Sequence, residues 1–481
     1  MEFKAKLRHW GIAAASVLST AALIWYGTGL HPYWPLLWFA PLPVLLFSTT
    51  TNRRTAALTA FAGMTLGMCN LLAYFAELGV PIVVRFVVLG TQGALFALAT
   101  VVFREFLTNR ACWRALVAFP ATWVVLEWAL SLVSPHGTFA NISYSQLEFL
   151  PFLQLASLTG PWGMSFILFL FPAAIAICNF QYKNSPRSSI AIALTVSLSL
   201  GAVLLWGQAR LEQPLAAHRV SVALLASDGS NIGTLEPGEA TEKLFVEYIE
   251  HAEPLVAQGA RVVVLPEKLG VVIEANKNTA DAIFQPFVNR THSVLIAGMV
   301  SVVENKKFNE ARVYRPSLPV LRYEKEHMLP PFESYLTPGT RLTHFEMPSG
   351  IWGVAICKDM DFTDPARGYG KADVGLLLVP AWDFSQDWFL HGHMAIMRGV
   401  ESGFSIARAA KGGSMYASDS RGRILAESMS NAAPFSSLVV DVQVSNEPTV
   451  YRRWGDWFAW VMVVYVLLAT ASLGRDRNNL T

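Results

Sequence analysis

The sequence contains few charged residues for its length. Only 15% of its 481 residues are Asp, Glu, Lys or Arg, whereas 53% are hydrophobic. Soluble domains average about 25% charged residues, so we expect much of this chain to lie in lipid. The net charge of +2 neither indicates nor excludes a nucleic-acid partner.

The sequence also lacks the motifs of several common classes of protein. It has no internal repeats, no low-complexity segments, no P-loop and no dinucleotide fingerprint. His391 and His393 are two residues apart in a predicted helix, where side chains diverge, and no further metal ligands are spaced around them. We therefore expect no cofactor, no metal site and no nucleic-acid partner.

The apolar residues are concentrated in long runs, mostly before residue 208. Each run is close to the ~20 residues that a helix needs to cross a bilayer. The run near the N-terminus follows basic residues like those of a signal peptide, but no cleavage site follows at a suitable distance, so we interpret it as a retained span. The sequence predicts about seven spans in a membrane domain over 1–208 and one C-terminal span, at 10–28, 32–50, 56–77, 80–103, 114–134, 155–180, 189–207 and 457–474.

The basic residues between these runs predict the orientation of the chain. Three alternate breaks, at 29–31, 78–79 and 135–154, contain no Lys or Arg. Cytoplasmic loops are enriched in Lys and Arg, so the segment between the last two spans is predicted to lie outside the cytoplasm. The predicted cytoplasmic ends carry Lys4, Lys6, Arg8, Arg53, Arg54, Arg104, Arg110, Arg114, Lys183, Arg187, Arg475 and Arg477.

Two ionisable residues, Arg85 and Glu127, fall within predicted spans. Ionisable groups inside a membrane are functional candidates. The alternatives are that Arg85 extends to the interface and that Glu127 caps a helix end. The sequence leaves both readings open.

Residues 219–444 have the pattern of an α/β domain. A helical pattern covers 239–259 and ends at a glycine. Continuous apolar runs, typical of strands buried on both faces, occur at 219–227, 261–267, 293–302, 351–357 and 374–381.

Cysteine is scarce, with four in the chain, and only Cys357 lies in this domain. Cys357 ends the run "GVAIC" and is followed directly by charged residues. A free thiol inside an apolar run is usually structural, whereas a reactive thiol needs charged neighbours that stabilise the thiolate. A buried spare cysteine remains the alternative.

Charged residues elsewhere in the domain could serve such a thiol. Glu267 ends the strand pattern "VVVLPE", as Cys357 ends its own, and ligands bind at the carboxyl ends of strands in open α/β sheets. The loop 322–335 contains Lys325 and Glu333. A carboxylate can accept the thiol proton, and an ammonium can stabilise the thiolate and an oxyanion.

Together, Glu267 in "LPE", Lys325 in "YEKEHMLP" and Cys357 in "ICKDMDF" resemble the Glu–Lys–Cys triad of the nitrilase (carbon–nitrogen hydrolase) superfamily. Glu333 matches an auxiliary glutamate of that superfamily, and 391–413 resembles its following helix and strand. The membrane spans, with "ISYSQLEFLPFLQLASLTGPWGMSF", are similar to the apolipoprotein N-acyltransferase family. The resemblance implies an α-β-β-α sandwich for 219–444.

The sequence departs from that family around the predicted pocket. Leu265 stands where an aromatic is usual, and Lys358 stands where a tyrosine usually follows the cysteine. "LPPFESY", "VPAWDF" and "AAKGG" replace the family's Pro-Phe-Gly-Glu, asparagine-bearing and Thr-Asn patterns. The triad is therefore a better guide to the chemistry than to the substrate.

The resemblance implies an acyltransferase on the outer face of a bacterial plasma membrane. Cys357 would take an acyl chain from a phospholipid and pass it as a thioester to an amine, such as the N-terminal cysteine of a lipoprotein. Glu267 would be the base and Lys325 would stabilise the oxyanion, with Glu333 supporting the lysine and Asp359 balancing charge. The alternatives are a membrane-anchored amidase with the same triad and an inert transporter or scaffold.

Overall fold

The computed structural model describes residues 2–215, 218–229, 237–274 and 276–478. The chain divides into a helical unit, within residues 1–133, 140–211 and 454–481, and an α/β unit, formed by 134–139 and 212–453. The predicted domains, 1–208, 219–444 and 457–474, did not separate the short segment 134–139 from the membrane domain. This segment lies in the middle of the predicted membrane domain in sequence but packs with the α/β unit.

The described chain contains α-helices of very different lengths. In chain order they are α1 (Glu2–Gly27), α2 (Leu42–Ser48), α3 (Arg53–Met68), α4 (Leu72–Glu77), α5 (Ile82–Thr108), α6 (Cys112–Val133), α7 (Leu150–Leu153), α8 (Ala156–Thr159), α9 (Pro161–Gln181), α10 (Pro186–Glu212), α11 (Glu239–Ala257), α12 (Lys277–Thr291), α13 (Thr363–Lys371), α14 (Trp388–Ser402), α15 (Val450–Trp454) and α16 (Trp457–Asn478). Short 3₁₀ helices occur at Trp34–Trp38, Cys69–Leu71, Ile142–Gln146 and Cys357–Asp361.

Six helical segments among the described residues are long and apolar enough to cross a membrane, instead of the seven predicted before residue 208. The difference lies at 32–50, where a 3₁₀ helix and α2 replace one continuous helix. Pro35, Pro41 and Pro43 explain the break, because each removes a backbone donor and fixes φ. The apolar part of α16, Trp457–Ser472, is shorter than the six. These six are Phe3–Gly27, Arg53–Glu77, Ile82–Thr108, Cys112–Val133, Pro161–Gln181 and Pro186–Glu212.

The α/β unit contains two mixed sheets. The first has the order β13-β1-β2-β4-β5-β6, with β3 paired to β4, and the second has the order β12-β11-β10-β9-β8-β7. The central pairs β1–β2, β2–β4, β8–β9 and β9–β10 are parallel. The strands are β1 (Arg219–Ala226), β2 (Val262–Val264), β3 (Val271–Val272), β4 (Val294–Val303), β5 (Lys306–Tyr314), β6 (Leu321–Glu324), β7 (Thr343–Met347), β8 (Gly350–Val354), β9 (Val374–Trp382), β10 (Ser405–Lys411), β11 (Ser414–Ser418), β12 (Ile424–Met429) and β13 (Ser436–Gln443).

Three apolar cores arrange these sheets and helices in four layers. Side chains of both sheets, such as Leu224 and Leu378, form one core between the sheets. A second core packs α11 and α12 on the outer face of the first sheet. A third packs α13 and α14 on the outer face of the second sheet. The α/β unit is therefore an α-β-β-α sandwich, as the resemblance implied.

Candidate active site

The three predicted triad residues all follow the carboxyl ends of strands. Glu267 comes shortly after β2, Lys325 directly follows β6, and Cys357 begins the 3₁₀ helix after β8. The backbone N–H of Glu267 donates to the carbonyl of Ala381 on β9, at 3.2 Å. This bond ties the first sheet to the second sheet near the site, so residues of both sheets can share one cluster.

Lys325 is fixed between two carboxylates. Its Nζ donates to Glu267 Oε1 at 2.9 Å and to Glu333 Oε2 at 2.8 Å. Asn309 Nδ2 donates to the same two side chains, at 2.5 Å to Glu267 and 3.0 Å to Glu333. Lys268 forms a further ion pair with Glu333. The loop residues predicted from the sequence are thus brought together, along with Asn309 and Lys268, which the sequence had not singled out.

Because these side chains are buried, the pKa of each one depends strongly on the charges of its neighbours. Lys325 and Glu333 are almost inaccessible to solvent. Burial lowers the pKa of Lys325, but Glu267 and Glu333 outweigh it and hold that pKa well above its ordinary value. Burial raises the pKa of Glu333, and Lys325 and Lys268 together bring that pKa down to about 2. The two carboxylates therefore favour the ammonium form of Lys325.

Cys357 has an unusual backbone conformation and a protonated thiol. Its φ is 42°, in the left-handed region that residues with a Cβ seldom adopt. Its Sγ donates to the carbonyl of Trp382 at 3.5 Å. Burial and the charge of Glu267 raise its pKa to about 12. A thiol in this state needs a base to take its proton during any attack on a substrate.

Asp359 connects the two loops that carry Lys325 and Cys357. One carboxylate oxygen accepts from the N–H groups of Glu326 and His327, and the other from the N–H of Ile356 and the hydroxyl of Tyr323. Asp359 also contributes to the raised pKa of Lys325. These hydrogen bonds fix the positions of both loops, which the sequence did not indicate, and the role of Asp359 in charge balance stays a prediction.

A second group of charged side chains near Cys357 was also missed from the sequence. His391, on α14, lies 3.1 Å from Asp361 and 3.2 Å from Asp383. Arg408 on β10 donates to both oxygens of Asp383, at 2.8 and 2.5 Å. His393 instead lies 3.2 Å from Glu427, so the two histidines diverge as predicted. Helical periodicity predicts that His391 and His393 lie on different faces of the helix. Only the tertiary fold shows that His391 is the one beside the thiol.

The atoms of Cys357, Asp383 and His391 that could bind a metal lie within 4.8 Å of one another. Both oxygens of Asp383 accept from Arg408, and His391 lies between two carboxylates. Arg408 already occupies the carboxylate of Asp383, and the two carboxylates beside His391 raise its pKa and favour a protonated ring, which is a poor metal ligand. We therefore assign no metal to this group.

Lys411, in the "AAKGG" segment, is a further buried amine near the site. Its Nζ donates to the carbonyl of Lys268 at 3.0 Å and lies 3.7 Å from the centre of the Trp382 ring. Burial lowers its pKa to about 7, despite the opposing charge of Glu267. Both Lys411 and Trp382 lie in segments that depart from the family pattern, which is the signal by which sequence comparison could find them.

The two ionisable residues of the predicted spans make local contacts in the helical unit. Glu127 accepts from the N–H of Ile142, the first residue of a 3₁₀ helix, at 3.0 Å, and from Ser165 at 2.7 Å. Arg85 donates to the carbonyl of Val80 at 2.6 Å. Glu127 therefore accepts hydrogen bonds at the start of that 3₁₀ helix, whose N-cap is Asn141.

The chain is similar to a family of known bacterial proteins over most of its length. Residues 20–174 match the family model "Apolipoprotein N-acyltransferase N-terminal domain". The chain is 24% identical to the apolipoprotein N-acyltransferase of Geobacter metallireducens over 92% of each chain, and 23% identical to that of Vibrio vulnificus over 97% of each. It is 26% identical to that of Shewanella oneidensis over 66% of each.

Among solved structures, Nit3 of Saccharomyces cerevisiae, a nitrilase-superfamily protein, matches with 17% identity and a TM-score of 0.40, covering 48% of this chain and 92% of Nit3. A carbon–nitrogen hydrolase of Helicobacter pylori matches with 16% identity and a TM-score of 0.42, covering 50% and 94%. The chain is similar to apolipoprotein N-acyltransferases along nearly its whole length.

Proposed function

We propose that this chain is a multi-pass membrane N-acyltransferase. It moves an acyl chain from a phospholipid, through a thioester on Cys357, to the amino group of a lipoprotein's N-terminal cysteine. The observation that carries the proposal is the buried group in which Lys325 is fixed between Glu267 and Glu333, with Cys357 close enough to be affected by the charges of Glu267 and Lys325. The similarity to named N-acyltransferases over nine-tenths of the chain supports the substrate class.

In the first half of the reaction, Glu267 accepts the thiol proton as the sulfur of Cys357 attacks the ester carbonyl of the phospholipid. Lys325 stabilises the oxyanion that forms. The ester C–O bond then breaks, and Glu267 returns the proton to the leaving alcohol oxygen. The products are a lysophospholipid and a thioester on Cys357.

In the second half, the neutral amine of the acceptor attacks the thioester carbonyl, and Lys325 again stabilises the oxyanion. Glu267 accepts a proton from the attacking nitrogen, the C–S bond breaks, and the proton returns to the sulfur of Cys357. The products are an amide and the free thiol, so the enzyme is restored. The cations bound to Glu333 keep that side chain ionised throughout, which holds Lys325 in place.

The placement of the α/β unit on the outer face of a bacterial plasma membrane is part of the same proposal. It is supported by the alternation of Lys- and Arg-containing breaks along the sequence. The six apolar helices found in the described part of the chain also exceed what is needed to anchor an enzyme with a soluble substrate, for which one span suffices.

The test is mass spectrometry of lipoprotein N-termini from a bacterium that carries this protein. Cells expressing the wild type or Cys178→Ala should contain N-acylated lipoproteins, and cells expressing only Cys357→Ala should contain free amino termini. Cys178 is the matched control because it is a free cysteine of the helical unit. Identical N-acylation with Cys357→Ala would contradict the proposal.

A further inference from the structure

The charges that flank Cys357 form two groups of different composition. The first group contains Lys325 and Lys268, which are paired with Glu267 and Glu333. Two ammoniums face two carboxylates, so the charges of this group cancel while Glu267 is ionised. The first group alone therefore supplies no net charge to oppose an anionic sulfur.

The second group, centred on His391, has a different balance. Asp361 lies 3.1 Å from both His391 and Lys358, and Asp383 lies 3.2 Å from His391 and also binds Arg408. Two carboxylates face three cationic side chains when His391 is protonated. This group then carries one positive charge in excess, and it includes a histidine whose ring nitrogen is within 4.8 Å of the sulfur of Cys357.

We propose that His391, held between Asp361 and Asp383, is a second cation that stabilises the anionic sulfur of Cys357. The inference rests on the proposed function, in which Cys357 is the nucleophile. Lys325 then serves mainly the oxyanion, and His391 serves the sulfur when it loses its proton and again when it leaves the thioester. His391 acts on Cys357 by charge and not by proton transfer.

The electrostatics of the surrounding groups agree with this geometry. Burial opposes the charge of His391, but Asp361 and Cys357 raise its pKa well above the ordinary value. Burial and Glu267 raise the pKa of Cys357, and among the cations that lower it His391 has the largest effect, ahead of Lys325 and Arg408.

Two further titratable side chains lie near His391, namely Lys358 in the 3₁₀ helix and His136 in the segment 134–139. Lys358 follows Cys357 in the 3₁₀ helix, and its Nζ lies 3.2 Å from Nδ1 of His136 in the segment 134–139. Burial and the charge of Lys358 lower the pKa of His136 to about 4. His136 is therefore neutral at physiological pH and adds no charge to the second group.

The test measures the reactivity of the thiol and not acyl transfer, so it is independent of the proposed function. Full-length protein in detergent, carrying a single cysteine, is alkylated with iodoacetamide between pH 6 and 9. A unit charge about 5 Å from the sulfur, at an effective dielectric constant of about 20, shifts a pKa by roughly 2 units. His391→Gln should therefore alkylate about 10- to 100-fold more slowly at each pH. The single-cysteine background replaces Cys69, Cys112 and Cys178 by Ala.

Two further variants separate charge from structure. His393→Gln, on the same helix but paired with Glu427, should alkylate within about twofold of the parent. His391→Lys keeps a cation and should stay within about fivefold. A folded His391→Gln that alkylates at the parental rate, or a folded His391→Lys as slow as the glutamine variant, would overturn the proposal. If neither variant folds, His391 is a structural residue and the proposal also fails.

Discussion

Replacing Glu333 by glutamine should disrupt the candidate site more than the loss of one oxygen suggests. One oxygen of Glu333 accepts from Lys325 and from the N–H of Leu329, and the other contacts Asn309 and Lys268. In either orientation, a glutamine amide would place its NH₂ group, which can only donate, against two other hydrogen-bond donors. The substitution also removes the charge that offsets two ammoniums, one of them fully buried.

The expected magnitude follows from the pKa of Glu333, which its two lysines bring from 4.5 to about 2 despite burial. A shift of this size corresponds to roughly 3 kcal/mol of unfolding free energy, in line with the cost of breaking a buried ion pair. For a unit of this size, about 3 kcal/mol lowers Tm by roughly 6–12 °C. Tryptophan fluorescence during thermal unfolding in detergent would measure the change, with Glu346→Gln, at an exposed carboxylate of β7, as the control.

The pH dependence of the difference in Tm between the wild type and Glu333→Gln gives a second check. The pKa of Glu333 is depressed in the folded state, so its contribution is full above about pH 4.5 and is lost as the pH falls through about 2. The gap in Tm between the wild type and Glu333→Gln should therefore be constant from pH 7 to 5 and shrink toward pH 3. A fall in Tm of less than about 2 °C at pH 7, or a gap that grows at low pH, would refute this reasoning.

Three other predictions concern topology, the base and the segment 134–139. Reporter tags at residue 183 and at the C-terminus should lie in the cytoplasm, and a tag at residue 305 outside it; a cytoplasmic signal at 305 would contradict the orientation. Glu267→Gln should leave the thiol open to alkylation but slow thioester formation about 10²- to 10⁴-fold, the usual contribution of a general base, and an unchanged rate would remove the base assignment. Gly137→Ala should lower Tm by several degrees, because Gly137 has a φ of +54° and an added Cβ would lie 2.6 Å from the carbonyl oxygen of Asp361. An unchanged Tm would show that the segment 134–139 can shift to accept the methyl group without loss of stability.

Much of the fold follows from apolar pattern alone. The five predicted strand segments contain β1 and β2 and overlap β4, β8 and β9 to within one residue at the end where they differ, and the predicted helix 239–259 contains α11. The strands are buried along most of their length and α11 buries one face, so their apolar patterns carry a strong signal. The strands β5 to β7 were not predicted, because exposed and buried residues are mixed along each of them and tertiary pairing decides their conformation.

The candidate site was predictable only in part. Glu267, Lys325 and Cys357 were found because strand ends and a family resemblance mark them. His391 and Lys411 were not, because a helix pattern does not tell which face meets a thiol and a lone lysine gives no sign of burial. Their positions depend on packing between α14, β9 and β10, which no local pattern encodes.

The most direct test of the central claim is a single-turnover acyl transfer with purified protein. The enzyme is loaded with a phospholipid labelled in its acyl chain, the thioester on Cys357 is identified by mass spectrometry, and a diacylated lipopeptide with a free α-amino group is added. An α-amino group with a pKa near ~8 is a competent nucleophile in its neutral form. We expect the label to move to the peptide amine, in the wild type and Cys178→Ala but not in Cys357→Ala. Label released only as free fatty acid, at the same rate with or without peptide, would contradict acyl transfer and identify a hydrolase.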